Sequence, residues 1–208
     1  MKKIQRIIIQ NKKACMIIFI LLLFVLLFIF NNMTKNKKNG NNMNSQEIVD
    51  SIINLNTYKA KINVQVNSNK NQNKYIIRQE YNAENGSIQE VIEPENIAGI
   101  RIIRKDNNLT IENSELDLKT IFENYKGLEN NSLDLISFIN NYKENHNSDY
   151  EEKNDEIIMT TKGNKENKYL ENKSLYIDKN NIKPKKLIIR DNNQNTTIII
   201  EYIEIELK

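Results

Sequence analysis

Residues 58–67 read YKAKINVQVN. Ala60, Ile62, Val64 and Val66 alternate with Lys61, Asn63 and Gln65, and a period of two marks a strand with one face buried and the other in water. The stretch therefore predicts a half-buried strand. Its neighbours say how the sheet is completed.

Upstream, Asn44–Asn54 places Ile48, Val49, Ile52 and Ile53 on one side of a helix, with Leu55 just beyond. Asn44 followed by Glu47 has the form of a capping box. Downstream, KYIIRQEY returns as the second strand of a hairpin, and NGSIQEVIE runs from an Asn85-Gly86 turn to Pro94. GIRIIRKDNNLTIEN gives two more strands around a turn at Asp106-Asn107-Asn108. SLDLISFINNYKEN reads as helix, with Leu133, Ile136, Ile139 and Tyr142 about three apart. DEIIMTTKG, KYLENKSLYID, PKKLIIRD and TTIIIEYIEIEL are strands, separated by Gly163-Asn164, Asp178–Pro184 and Asp191–Asn195. The total is about nine strands, mostly in hairpin order, and two helices, which predicts an α+β fold with a mostly antiparallel sheet curled over the helices.

The amino end differs from all of this. Residues 14–30 carry no charge, and Ile17–Phe30 are all Ile, Leu, Phe or Val. As a helix at about 1.5 Å per residue the run reaches about 26 Å, close to the hydrocarbon thickness of a bilayer. Its residues favour insertion by roughly 4 to 8 kcal/mol. Phe30-Asn31-Asn32-Met33 offers no small-residue cleavage site, and Cys15 precedes the apolar stretch, where a lipid-modified cysteine would follow it. The reading is a retained transmembrane signal-anchor helix, with Cys15 an inert residue at its edge. Lys2, Lys3, Arg6, Lys12 and Lys13 keep residues 1–13 in the cytoplasm and send the rest across the cell membrane. Residues 31–44 are polar and read as a flexible linker, and residues 45–208 as one extracytoplasmic domain.

The formal charge of +3 misleads about partners. Setting aside the five cations before the apolar run leaves 25 Lys and Arg against 27 Asp and Glu, a balance of −2, so nucleic-acid binding is not expected. The domain has no cysteine and one histidine, His146, with no partner at a metal-ligand spacing. It reads as an exposed loop residue. The densest acidic group, Asp149, Glu151, Glu152, Asp155 and Glu156, lacks the central glycine of a calcium loop and reads as a solvated loop. Lys183, Lys185 and Lys186 beside Pro184 read as a solvated turn, with anionic lipid or wall polymer as the sharper alternative. Glu201, Glu204 and Glu206 fall on alternating faces of an unbroken last strand. No phosphate-binding glycine pattern occurs. The sequence nominates no catalytic, cofactor-binding or metal-ligating residue and no cofactor; a two-carboxylate hydrolase is the remaining enzymatic reading.

The order of elements resembles the LolA/LolB-like lipoprotein-carrier superfamily, and within it the GerS-type clostridial spore-germination proteins. The residues that carry the likeness are Tyr58 and Ala60 after the first helix, Pro94 and Gly99, the Asp106-Asn107-Asn108 turn, and the closing IKPKKLIIRDNNQNTTIIIEYIEI with Pro184 leading in. The resemblance implies a LolA-like half-barrel. It also implies a non-enzymatic binding or scaffold protein of the envelope of a spore-forming bacterium, with a cell-wall amidase of cortex modification as partner. The alternative within the superfamily is a carrier or sensor of a lipid or lipoprotein acyl chain, held in an open apolar cavity. The last strand, apolar on both faces, fits either a central place in this sheet or pairing with a second copy as a homodimer.

Overall fold

Alternation becomes register. In a computed structural model of the protein, which describes residues 43–68, 70–125, 133–163 and 171–208, Thr57–Asn67 forms strand β1. Tyr58, Ala60, Ile62 and Val64 are buried, while Lys59 is exposed and Lys61 and Asn63 are half-exposed. The remaining strands are β2 (Gln72–Asn82), β3 (Gly86–Glu93), β4 (Arg101–Lys105), β5 (Asn108–Asn113), β6 (Leu118–Phe122), β7 (Asp149–Lys153), β8 (Glu156–Lys162), β9 (Asn172–Asp178), β10 (Lys183–Arg190) and β11 (Thr196–Leu207). All belong to one eleven-stranded sheet in the order β6-β5-β4-β3-β2-β1-β11-β10-β9-β8-β7. Every pairing is antiparallel. Two meanders, β1–β6 and β7–β11, are thus joined only where the first strand meets the last. Residues Asn42–Lys208 form one compact unit.

Two helices cover one face. Helix α1 (Ser45–Ile53) starts with the expected capping box: Asn44 Oδ1 accepts from Glu47 N at 2.9 Å, and Glu47 Oε2 from Asn44 N at 2.8 Å. It buries Ile48, Val49 and Ile52. Helix α2 (Leu135–Glu144) buries Leu135, Ser137, Phe138 and Ile139. These meet Ile62 and Val64 of β1, Met159 of β8, Leu175 and Ile177 of β9, Leu187 of β10 and Ile200 of β11 in one apolar core. At roughly 1.5–3 kcal/mol per fully buried large aliphatic side chain, this core is the main source of stability.

The turns are set by residues that tolerate positive φ. Asp106 and Asn107 sit at φ 51° and 62°, the pair a two-residue hairpin loop needs. Gly86, at φ 82°, starts β3 so close to β4 that a Cβ would lie 1.9 Å from the Arg104 carbonyl oxygen.

Several expectations are corrected. The sheet has two strands more than the sequence suggested, β6 and β7, so the acidic group at residues 149–156 is a hairpin, turned at Asn154 with φ 57°, and not a loop. Helix α2 starts at Leu135, so Leu133 precedes it and the buried stripe runs through Leu135, Phe138 and Ile139. Lys183, Lys185 and Lys186 lie in β10, with Pro184 buried, instead of in a solvated turn. In β11 the register slips beside Lys61 and Ile62: Glu204 pairs with Lys61 and Tyr202 with Ile62, leaving Ile203 as the extra residue. The slip puts Glu201, Glu204 and Glu206 opposite Asn63, Lys61 and Lys59, all on the outer face and not on alternating ones. Strand β11 itself takes the central place, between β1 and β10.

The apolar run 14–30, the segment before it and residues 31–42 of the linker lie outside the described residues, as does Asn164 of the Gly163-Asn164 turn. Among the described residues no helix is long and apolar enough to cross a membrane.

Candidate docking surface

The polar residues singled out by sequence are dispersed. His146 is exposed in the loop after α2. Of the acidic hairpin, Glu151 pairs with Ile158 and Glu152 with Ile157, so adjacent carboxylates point to opposite faces. Glu152 is engaged twice, accepting from Ser45 Oγ and from Lys179 Nζ at 2.5 Å, and these two bonds hold its carboxyl below the usual carboxylate range. Lys185 Nζ lies 2.5 Å from Glu156 Oε1, and Lys186 Nζ sits 4.3 Å from the centre of the Tyr176 ring. Among the described residues no group of three or more His, Cys, Asp or Glu is placed to hold a metal ion. A cleft of about 360 Å³ at the ends of β1, β2 and β3 is lined by Tyr58, Lys59, Glu80 and Glu206. Lys59 and Glu80 pair at 3.1 Å there, both well exposed.

The buried polar groups work inside the fold. Asp134, which precedes α2, accepts from Gln89 Nε2 and lies 3.5 Å from Arg104 NH1. Gln79 Nε2 donates to the Leu133 carbonyl at 3.0 Å. These contacts fasten the start of α2 to β2, β3 and β4. Farther along the helix, Lys173 Nζ donates to Asn141 Oδ1 at 2.6 Å, and burial pulls its pKa down to about 8. Burial pushes the hydroxyls of Tyr58 and Tyr202 upward, with Asp134 adding to both.

What stands out is the wing β4–β6. Six of the seven large apolar side chains exposed among the described residues lie there: Ile111 (38%), Leu116 (65%), Leu118 (59%), Ile121 (54%), Phe122 (43%) and Tyr125 (42%). Register explains their distribution. Phe122 pairs with Leu109 and Thr120 with Ile111, placing Leu118 and Phe122 on the helix side, while Ile121, opposite Thr110, faces outward. Hydrogen bonds close the turns of the wing. Buried Asn113 accepts from Glu115 N at 3.0 Å and Leu116 N at 3.3 Å and donates to the Ala98 carbonyl at 3.3 Å. Beyond β6 the chain turns back, with Tyr125 N donating to the Asn107 carbonyl at 2.8 Å and the Tyr125 ring 6.3 Å from that of Phe122. On the outer face Glu112 is 2.8 Å from Arg101 and 3.9 Å from Lys119. Sequence reasoning left residues 114–131 unassigned. The signal was the Thr120-Ile121-Phe122 run, rich in strand-forming residues, shortly after the turn-prone Asn113-Ser114 pair.

Exposed apolar side chains gathered on one part of a surface are a feature of interaction sites. Residues 12–207 match the family described as Sporulation protein YdcC-like. The chain belongs to this family. No curated protein matches it. Among solved structures, the YdcC-like chain is similar to a chain of the complex between the CwlD amidase and the GerS lipoprotein of Clostridioides difficile, with 21% identity, a TM-score of 0.52, and 80% of this chain and 97% of that one covered. It is similar also to an uncharacterised conserved protein of Thermus thermophilus, with 10% identity, a TM-score of 0.51 and coverage of 80% and 88%. A LolA superfamily protein of Nitrosomonas europaea matches at 12% identity, a TM-score of 0.41 and coverage of 80% and 94%. The mostly antiparallel sheet with two helices expected from the sequence is the one these YdcC-like residues adopt.

Proposed function

We propose that this YdcC-like protein is a membrane-anchored, non-enzymatic scaffold of the cell envelope in sporulation, and that it grips a partner protein through the β4–β6 wing. The observation that carries the reading is the concentration of exposed apolar side chains on that wing. A cell-wall amidase is the partner class this reading favours, because the fold is shared with a chain of the CwlD–GerS complex. Anchoring rests on the uncharged run at residues 14–30. The carrier alternative needs an open apolar cavity beneath the helices. Ile48, Ile52, Leu135, Phe138 and Ile139 fill that side, which favours docking over carriage.

Capture with the full-length chain from detergent-solubilised sporulating cells tests the proposal. A peptidoglycan amidase is expected to be retained by the parent protein and lost with the double variant Leu118→Asp, Phe122→Asp. Retention unchanged by that variant, or purification of acyl lipid in place of an amidase, would overturn it.

A further inference from the structure

The sheet has two edges, and they are unlike. Strand β7 presents Asp149, Glu151, Glu152 and Lys153, a row of charge that discourages strand pairing, and its Glu152 is tied to Ser45 and Lys179. Strand β6 presents Leu118, Lys119, Thr120, Ile121 and Phe122, all exposed. Its inner side is fully used: five successive residues pair with β5, from Leu118 with Asn113 to Phe122 with Leu109. Among the described residues no strand pairs with the other side, and its alternate N–H and C=O groups face outward.

We infer that β6 is a strand-addition site, at which an extended segment of the partner protein pairs with Leu118–Phe122 as a further strand of the sheet. The inference rests on the docking reading of the wing and specifies its geometry. Side chains of an added strand share a face with the residues they oppose. Those opposite Leu118 and Phe122 would lie on the helix side next to these two side chains, where Ile111 is also exposed and the Tyr125 ring stands 6.3 Å from that of Phe122, and so are apolar. The residue opposite Ile121 is apolar too, on the outer face. The residue opposite Lys119 is acidic, because Glu112 is already shared with Arg101 at 2.8 Å while Lys119 stands 3.9 Å from it and is itself well exposed. Backbone hydrogen bonds supply the affinity of such a site, and the Lys119 position supplies the register.

The test uses the full-length chain in detergent and, as probe, a short acetylated peptide whose central glutamate is accompanied by valines at the positions opposite Leu118, Ile121 and Phe122, with threonine elsewhere. The expected result is binding, with hydrogen exchange slowed at the amides of residues 118–122. An analogue N-methylated at alternate amides keeps its side chains but loses donors. It should bind at least about tenfold more weakly, the worth of one or two hydrogen bonds. Lys119→Glu should shift the preference to a peptide with lysine in the central position. Equal binding of the methylated analogue, no binding of either peptide, or unslowed exchange in β6 would overturn the inference. The failures separate cleanly: if Leu118→Asp, Phe122→Asp abolishes amidase capture while the amidase leaves β6 exchange unchanged, docking stands and strand addition falls. If capture survives the substitutions, docking itself falls.

Discussion

Lys173 is a cation placed where water barely reaches it. Its ammonium meets Asn141 and Ser137 of α2, and the cost of burial lowers its pKa from 10.5 to about 8. Between those two values the folded protein has released the proton and the unfolded chain still holds it, so stability rises with pH across the window. Below pH 8 the full penalty is present. Lys173→Met removes this contribution: the difference in unfolding free energy between parent and variant should change by on the order of 3 kcal/mol between pH 8 and 10.5. Urea titrations at several pH values would measure it, and a pH-independent difference would refute it. Gly86→Ala is expected to destabilise by at least about 2 kcal/mol, since the new methyl would meet the Arg104 carbonyl at a positive φ; thermal unfolding reads this directly. At this scale the sequence was legible where local chemistry decides, as at the Asn44–Glu47 box and the Asp106-Asn107 turn. It was not legible at Ile203, because a bulge is defined by the partner strand: nothing in IEYIEIEL says which residue β1 will skip.

Elements repeat the lesson with larger units. Helix α1 could be read because its cap and apolar stripe lie within a dozen residues of each other. Asn44→Ala should cost about 1 kcal/mol, seen as a lower urea midpoint with unchanged slope. Phe138→Ala, in the fully buried centre of α2, should cost about 3–5 kcal/mol by the same measurement. The two edge strands could not be read. Strand β7 has one apolar residue, Tyr150, and β6 buries none of its five, so neither shows the alternation that burial imposes. The exposed apolar wing was missed for the same reason. A strand whose apolar residues are all exposed leaves no periodic trace in its own chain.

The whole molecule depends on a single seam. Counts of strands and turns in the sequence sufficed for an antiparallel sheet over helices, but not for the pairing of β1 with β11, the first strand with the last, from Tyr58 with Leu207 to Val66 with Ile198. Thr57 and Lys208 even exchange backbone hydrogen bonds, at 3.1 and 3.0 Å. Removing residues 196–208 should abolish cooperative unfolding altogether, instead of lowering its midpoint, and a synthetic peptide of those residues added in trans should restore it. Differential scanning calorimetry distinguishes the outcomes.

The seam also orders events in time. As the polypeptide leaves the ribosome, β1 emerges well before β11, so the edge of β1 that carries Ile62 and Val64 stays unpaired until residues 196–207 have been made. A stop anywhere before residue 196 would therefore leave that edge of β1 without its mate, and chains cut there are expected to aggregate where the parent stays in solution.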